Sequence, residues 1–422
     1  MEKKETSQPL SIFSAMFLVA GTCIGGGMLA LPVATGINGF LPSLVVMLVC
    51  YFAMTATALL LLEASLWMHE DDVHTSTMTV RLLGNKFKIV TWLLFLFISY
   101  ASIVAYTAGA GIQIASTFEY YLGIHFSKDI GALIFISIFG GLFYVSNVVV
   151  GRVNSILFVG MLLAYFGLVM TGLDEVNPKL ILKREWSGSL MVLPLLLTAF
   201  SFQTMVPSLT PLLNKNSKDL QKAIIGGTTL TLLIYLIWQF LILGIVPVDG
   251  PFGLKEALEK GEPATQFLRE HVKGHWLVAS VEFFSFFAIA TSFLGISLGL
   301  FDFLSDGLKI KKKGFGKLAL MLIVMVPTYI IAVKYERIFL IALYATGGYG
   351  DTILNGLIPV AMVWMGRYRL GYKSVSALPG GKPLLIFIFC FFFLALMLEI
   401  LNGTGYIDTI YELYDVFKFK GS

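Results

Sequence analysis

Four glycines within seven residues interrupt the first long apolar run of the chain. Residues 21–27 read Gly-Thr-Cys-Ile-Gly-Gly-Gly. Each glycine inside a helix costs about 1 kcal/mol relative to alanine, which is expensive for a plain membrane anchor. Close helix packing through small residues prefers glycines on one face, whereas Gly25, Gly26 and Gly27 are consecutive and cover every face. The pattern therefore predicts a break in the first helix, with packing glycines as the alternative.

A second apolar run, near the middle of the chain, contains a polar cluster between prolines. Pro194, Pro207 and Pro211 enclose residues 198–204, which read Thr-Ala-Phe-Ser-Phe-Gln-Thr. A proline inside a helix removes a backbone hydrogen bond and clashes with the preceding turn. We therefore expect this helix to be interrupted around residues 201–204, and a simple proline kink is the alternative.

Backbone groups freed at two such breaks are suited to binding a zwitterion. A bilayer offers them no hydrogen-bond partner, and the N-terminus of a half-helix carries partial positive charge. The carboxylate of an amino acid would match the amides at the first break, and its ammonium group would match carbonyl oxygens at both. The residues expected to contact the ligand at the breaks are Gly21, Thr22, Cys23, Gly25, Gly26, Gly27, Ala199, Ser201, Phe202 and Gln203.

Five further side chains are candidates for the same site. Tyr106 and Gln113 share a helical face with small residues that would admit a ring, although ordinary helix packing explains this pattern equally well. Asp351 lies near the centre of a glycine-rich apolar run. Burying a carboxylate in a membrane costs free energy, so such a residue is a candidate functional residue. Because burial disfavours its charged form, Asp351 could exchange a proton as its access to water changes; hydrogen bonding to the nearby backbone is the structural alternative. Thr291 and Ser292 offer hydroxyl oxygens that would instead suit sodium.

The composition places these candidates in a membrane. Hydrophobic residues make up 57% of the 422 residues and charged residues only 13%, against about 25% charged in a soluble domain. A soluble enzyme, a disordered chain and a nucleic-acid binder are therefore excluded as classes. A helix crosses the hydrocarbon in about 20 apolar residues, and the runs that qualify are 10–62 (room for two), 89–118, 130–151, 153–173, 187–214, 223–248, 276–301, 318–333, 338–366 and 384–398. We predict an all-α integral membrane protein with about eleven transmembrane helices.

The cysteines and the short motifs predict neither a cofactor nor a metal. The 3 cysteines lie in apolar runs, and none belongs to a C-x-x-C pair or a Cys/His cluster. The chain also lacks the G-x-x-x-x-G-K-[ST] pattern of a nucleotide motor. We therefore expect no bound cofactor, no metal and no enzymatic activity.

The order of the spans places both breaks at corresponding positions. They fall in the first and the sixth spans, which open two groups of five, and matched interruptions of this kind point to a transporter with its site at the bilayer midplane. The expected organisation is a cytoplasmic tail over 1–9, one transmembrane domain over 10–403 and a tail over 404–422. Within the domain we expect inverted repeats at about 10–173 and 187–366, and an extra helix at about 384–402. Most of the 30 Lys and Arg residues fall on the side of the N-terminus, which predicts that this side is cytoplasmic.

Three stretches resemble the hydroxy and aromatic amino acid permeases, and most closely the bacterial tyrosine- or tryptophan-specific branch. They are residues 19–32 (VAGTCIGGGMLALP), 206–208 (VPS) and 290–303 (ATSFLGISLGLFDF). The resemblance implies the leucine-transporter-like fold of five plus five spans with helices 1 and 6 broken. It also implies proton symport of an aromatic amino acid. Where aromatic members often have Gly-Phe-His in span 6, this chain has Ser-Phe-Gln at 201–203.

These observations together predict a secondary transporter of the bacterial inner membrane. It would import tyrosine, tryptophan or both by proton symport with alternating access, surrounded by lipid and without a nucleic-acid partner. A sodium-coupled or more broadly specific amino acid transporter is the alternative. A channel would need selectivity rings and a repeated pore helix, and a membrane enzyme would need a catalytic cluster, and neither pattern is evident in the sequence.

Overall fold

The computed structural model describes residues 11–68, 74–272, 274–374, 378 and 380–404, and over these residues it is helical without strands. The expected cytoplasmic tail and residues 405–422 of the expected C-terminal tail lie outside this part of the chain. All-helical structure suits a bilayer, because a helix satisfies its own backbone hydrogen bonds.

Nineteen α-helices follow one another along the described chain. They are α1 Ile12–Cys23, α2 Gly26–Thr35, α3 Phe40–Leu66, α4 Thr75–Leu83, α5 Lys86–Leu122, α6 Lys128–Phe135, α7 Gly141–Val145, α8 Asn147–Gly172, α9 Pro178–Ile181, α10 Leu193–Ala199, α11 Val206–Leu212, α12 Ser217–Ile245, α13 Leu254–Lys260, α14 Ala264–His271, α15 His275–Leu308, α16 Gly314–Lys334, α17 Ile338–Ala345, α18 Ile358–Tyr368 and α19 Gly381–Gly403. A π-helical stretch at Thr346–Leu357, called the π segment below, joins α17 to α18, and a shorter one at Ile136–Gly140 joins α6 to α7.

Nine helical segments of the described chain are long and apolar enough to cross a bilayer, and the bent pair of α1 and α2 makes a tenth. The interrupted helix Ile338–Tyr368, made of α17, the π segment and α18, is not among them. Eleven spans are reached only by counting it as well, so that number stays a prediction. The division into two repeats and an extra helix also stays a prediction.

The packing brings the two broken spans together in the middle of the molecule. α2, the second half of span 1, contacts α10, the first half of span 6. α12 contacts α1, α2 and α3, and the π segment contacts α10, α5 and α19. The long helix α15 packs against α8 and α5 and also contacts α2. The breaks are therefore enclosed by α12, α15, α5 and the π segment.

Candidate functional site

The first helix is broken where the glycines predict. α1 ends at Cys23, α2 begins at Gly26, and the two helices are bent by 55°. Between them Ile24 and Gly25 have extended backbone, with φ of −74° and −168°. No side chain caps the start of α2, so the amides of its first turn point into the break without a side-chain acceptor. The prediction of a break, rather than packing glycines, is confirmed.

The sixth span is also broken, but its prolines lie beside the gap. α10 ends at Ala199, Ser201 and Phe202 are outside any helix, and a 3-10 turn at Gln203–Met205 leads into α11. Pro194 and Pro207 each occupy the first turn of the half-helix that contains it, where the missing amide costs nothing. The expected interruption is confirmed, and the prolines act by starting the two halves.

One tyrosine that the sequence did not single out bonds to both breaks. The Tyr235 hydroxyl of α12 lies 2.6 Å from the carbonyl oxygen of Cys23 and 2.7 Å from that of Ala199, and its side chain is fully buried. Nothing local marks this residue, because an apolar helix with one tyrosine is ordinary. The pairings span 212 and 36 residues of sequence, which only the folded chain brings together.

Asp351 lies at the second break. Ser201 donates a hydrogen bond of 2.7 Å to its Oδ1, and Asn355 donates another of 2.7 Å to the same oxygen. Asn355 also reaches the Ser201 hydroxyl at 3.0 Å. The carboxyl is fully buried, and its Oδ2 has no hydrogen-bond partner in the described structure. The π segment thus brings a carboxylate, an amide and the break into one cluster. Asn355 was missed, although its position one turn after Asp351 was a usable signal.

The π segment rests directly on the first half of span 6. A Cβ built on Gly347 would lie 1.7 Å from the carbonyl oxygen of Pro194, so only glycine permits this approach. On the neighbouring turn, Thr198 donates a hydrogen bond of 2.8 Å to the carbonyl of Leu343. The carboxylate-bearing segment is therefore held against α10 by backbone contact as well as by side chains.

Tyr106 and Ser292 lie against the glycines of the first break. A Cβ on Gly26 would lie 2.4 Å from Cε1 of Tyr106, and one on Gly25 would lie 1.9 Å from the Ser292 hydroxyl. A Cβ on Gly27 would lie 3.5 Å from Cα of Ala199, so the two breaks approach each other here. Thr291 instead donates to the carbonyl of Phe287 in its own helix, at 2.8 Å.

The remaining predicted residues are directed elsewhere. Gln203 binds the carbonyl of Met54 in α3 at 3.0 Å, and its side-chain oxygen accepts the Phe202 amide at 2.9 Å. Gln113 accepts a hydrogen bond of 2.7 Å from Ser285 in α15. Both amides are therefore already engaged within the protein.

Two more predicted positions lie in α1, just before the first break. Thr22 is exposed and donates to the carbonyl of Leu18 at 2.8 Å, and Gly21 lies against the ring of Phe158. Cys23 and Phe202 are buried at the edges of their breaks.

The two halves of each broken span differ in burial. All ten residues of α2 are buried, and in α10 all but Thr198 are. Thr22 before the first break is exposed, and so are Thr204 and Ser208 after the second. The second half of span 1 and the first half of span 6 are thus buried, while the other halves carry exposed polar side chains near the breaks.

Comparison with known proteins now assigns the family. The model of the tryptophan/tyrosine permease family matches residues 8–399. This chain belongs to that family. It is 30% identical over 413 residues to a tryptophan-specific transport protein of Haemophilus influenzae, covering 94% of this chain and 97% of the relative. It is 31% identical over 360 residues to the tyrosine-specific transport system 1 of the same organism, covering 83% and 87%.

A solved structure supports the fold. The structure titled MhsT in complex with L-phenylalanine superposes with a TM-score of 0.63 at 14% identity, covering 92% of this chain and all of the other. This permease therefore has the leucine-transporter-like fold that its motifs implied, with helices 1 and 6 broken. It is a multi-pass membrane transport protein and not an enzyme, as predicted.

Proposed function

We propose that this permease imports tyrosine, tryptophan or both across the bacterial inner membrane by proton symport with alternating access. Its relatives are described as tryptophan- and tyrosine-specific transport proteins, which favours an aromatic substrate. The observation that carries the coupling proposal is the buried Asp351 bonded to Ser201 at the second break. Lipid would surround the exposed apolar side chains, such as Ile156 and Phe387.

The substrate is proposed to lie between the two breaks. Amides at the start of α2 suit its carboxylate, since the N-terminus of a helix favours an anion. Carbonyl oxygens of the breaks suit its ammonium group, and the Tyr106 ring beside Gly26 is suited to contact its aromatic ring. Because the side chains of Gln203 and Gln113 are hydrogen-bonded to other groups of the protein, we propose that they hold the neighbouring helices in place and do not contact the substrate.

Protonation of Asp351 would change how the second break is held. As a carboxylate it accepts hydrogen bonds from Ser201 and Asn355, and bonds to a charged acceptor are roughly twice as strong as neutral ones. A proton on Oδ2, which has no partner in the described structure, weakens both of them. Proton binding from outside would loosen the link between the π segment and the second break, and proton release inside would restore it.

Sodium coupling is the second candidate, and the position of Ser292 favours it. Its hydroxyl lies against Gly25 at the first break, where carbonyl and hydroxyl oxygens are the ligands that a hard cation prefers. Thr291 is one residue away, although its hydroxyl bonds to its own helix. The two candidates differ in one measurement, the sodium dependence of uptake.

Uptake into proteoliposomes tests the substrate and the coupling ion together. Labelled tyrosine and tryptophan are offered with each of the twenty amino acids as competitor, at two external pH values, with and without sodium. We expect competition by aromatic amino acids, faster uptake at acidic external pH and no need for sodium. Uptake that requires sodium and does not depend on the pH gradient would show that sodium, and not the proton, is the coupling ion. Competition by small aliphatic amino acids would overturn the proposed specificity for aromatic substrates.

Asp351→Asn tests the coupling residue itself. We expect accumulation driven by a pH gradient to fall more than tenfold, because asparagine cannot bind and release a proton, while counterflow exchange of labelled substrate continues. The matched control is Glu399→Gln, which removes a second buried carboxyl, one that packs on Gly348 of the same segment. Unchanged pH-driven accumulation in Asp351→Asn would remove Asp351 from the coupling mechanism.

A further inference from the structure

α12 contacts both halves of span 1. The indole nitrogen of Trp238 donates to the carbonyl of Met28 at 2.9 Å, and Gln239 donates to the Thr35 hydroxyl at 2.7 Å. Both bonds hold α2, while α1 packs along the beginning of α12. α12 therefore supports span 1 on both sides of its break.

Tyr235 supplies the donor that each break lacks. In a continuous helix the carbonyl of Cys23 would accept from the amide of Gly27, and that of Ala199 from the amide of Gln203. The breaks remove both partners. The Tyr235 hydroxyl lies within 2.7 Å of both carbonyl oxygens, although a hydroxyl has one hydrogen to donate. Two breaks from different halves of the chain thus share one hydrogen.

We infer that Tyr235 ties the two broken helices together, so that they hold the substrate and change position as one unit. This inference rests on the proposed transport function. Tyr235 is a positioning residue, because it sets where the free carbonyls lie. The ring alone would not do this, since its contact with Phe200 at 5.2 Å between ring centroids is apolar and undirected.

The test is Tyr235→Phe, with Tyr165→Phe as its matched control. Phenylalanine keeps the ring and its packing but leaves two buried carbonyls without a donor. Tyr165 lies on α8 and donates to a single carbonyl, that of Ile234 on α12, at 2.8 Å. Both variants therefore remove one partly or fully buried hydroxyl next to α12, and only the first affects the breaks.

Two measurements are made on both variants. Amide hydrogen exchange in detergent, without substrate, follows peptides covering 19–28 and 196–205. We expect exchange to accelerate at least fivefold in both peptides of Tyr235→Phe and in neither peptide of Tyr165→Phe. In proteoliposomes we expect KM for the aromatic substrate to rise at least tenfold in Tyr235→Phe, with the same amount of folded protein, and to stay within twofold in Tyr165→Phe.

If amide exchange in Tyr235→Phe accelerates in only one peptide or in neither, the inference that Tyr235 links the two broken helices is overturned. A KM of Tyr235→Phe within twofold of that of the unchanged protein would also overturn it. Equal losses in both variants would show a general effect of removing a hydroxyl and would also overturn it. The exchange measurement needs no substrate, so its outcome is independent of whether the proposed substrate and coupling ion are correct. Failure of the unchanged protein to take up aromatic amino acids would count against the proposed function alone.

Discussion

The glycines of the first break are needed for space more than for backbone freedom. Gly25 has φ of −168°, an extended conformation that any residue can adopt. Its would-be Cβ, however, would lie 1.9 Å from the hydroxyl of Ser292, and that of Gly26 would lie 2.4 Å from the ring of Tyr106. The glycines thus let the Tyr106 ring and the Ser292 hydroxyl approach the backbone of the first break closely.

Gly26→Ala is therefore expected to impair transport strongly. The new methyl group would push the Tyr106 ring away from the break, and we expect uptake of the aromatic substrate to fall more than tenfold at an unchanged amount of inserted protein. Gly141→Ala is the control, because a Cβ there would meet no atom within 4 Å. Normal uptake in Gly26→Ala, measured beside that control, would show that the Tyr106 ring moves freely.

At the scale of single residues, the sequence predicted the position of those residues that are unusual among their neighbours in the chain. The consecutive glycines, the Ser201 cluster and the isolated Asp351 are conspicuous in apolar runs, and all three lie at the breaks. Tyr235 carries no such signal, since its role depends on distant carbonyl groups. The direction of a side chain could not be predicted from the sequence either. Gln203 lies at the second break, yet its side-chain amide points toward α3 and bonds there.

Among the helices, one buried ion pair joins spans that the breaks do not involve. Glu63 of α3 and Arg367 of α18 form two hydrogen bonds of 2.8 and 2.5 Å, and their side chains are 0% and 9% exposed. Removing one partner of such a pair leaves an uncompensated charge and typically costs about 3–5 kcal/mol. By contrast, Lys183 and Asp249 form an exposed pair, a class that contributes about 1 kcal/mol or less.

Glu63→Gln is expected to lower the thermal midpoint of the purified protein in detergent clearly, because the Arg367 charge stays buried without its partner. Asp249→Asn serves as the comparison and should leave the midpoint almost unchanged. Combining Glu63→Gln with Arg367→Met should recover part of the loss, since no isolated charge remains. Equal midpoints for the two single variants would mean that Glu63 and Arg367 are solvated in the folded protein.

The position of each helix was largely predictable, and its internal irregularity was not. Apolar runs located the spans because about 20 residues must cross the hydrocarbon. The π segment was not expected, because wide turns depend on what the helix packs against, here α10 and α19. The role of the prolines was likewise misjudged: Pro194 and Pro207 begin half-helices, and the gap follows from the residues between them.

Across the whole molecule, the two halves of each broken span are buried to different extents. α2 and α10 are sealed, whereas Thr204 and Ser208 of the inner half are exposed. If the N-terminus lies in the cytoplasm, as the distribution of Lys and Arg predicts, we expect this conformation to be closed to the outside and open to the inside.

Thiol labelling tests that orientation. In a background with Cys390, the exposed cysteine, replaced by serine, Thr204→Cys should react with a membrane-impermeant maleimide at least tenfold faster in inside-out than in right-side-out vesicles. Bound aromatic substrate should slow the reaction. Leu195→Cys, in the buried half of the same span, should stay unlabelled from both sides. Faster labelling of Thr204→Cys from outside would reverse the assignment.

The contact between Gly347 and the carbonyl of Pro194 has a mechanical consequence. Where two main chains touch with no side chain between them, no rotamer can absorb a displacement, and packed interiors compress little. A tilt of α10 is therefore passed without slack to the turns that carry Asp351. If Asp351 binds the coupling proton, as we propose, a change in its protonation and a change in the tilt of α10 must occur together.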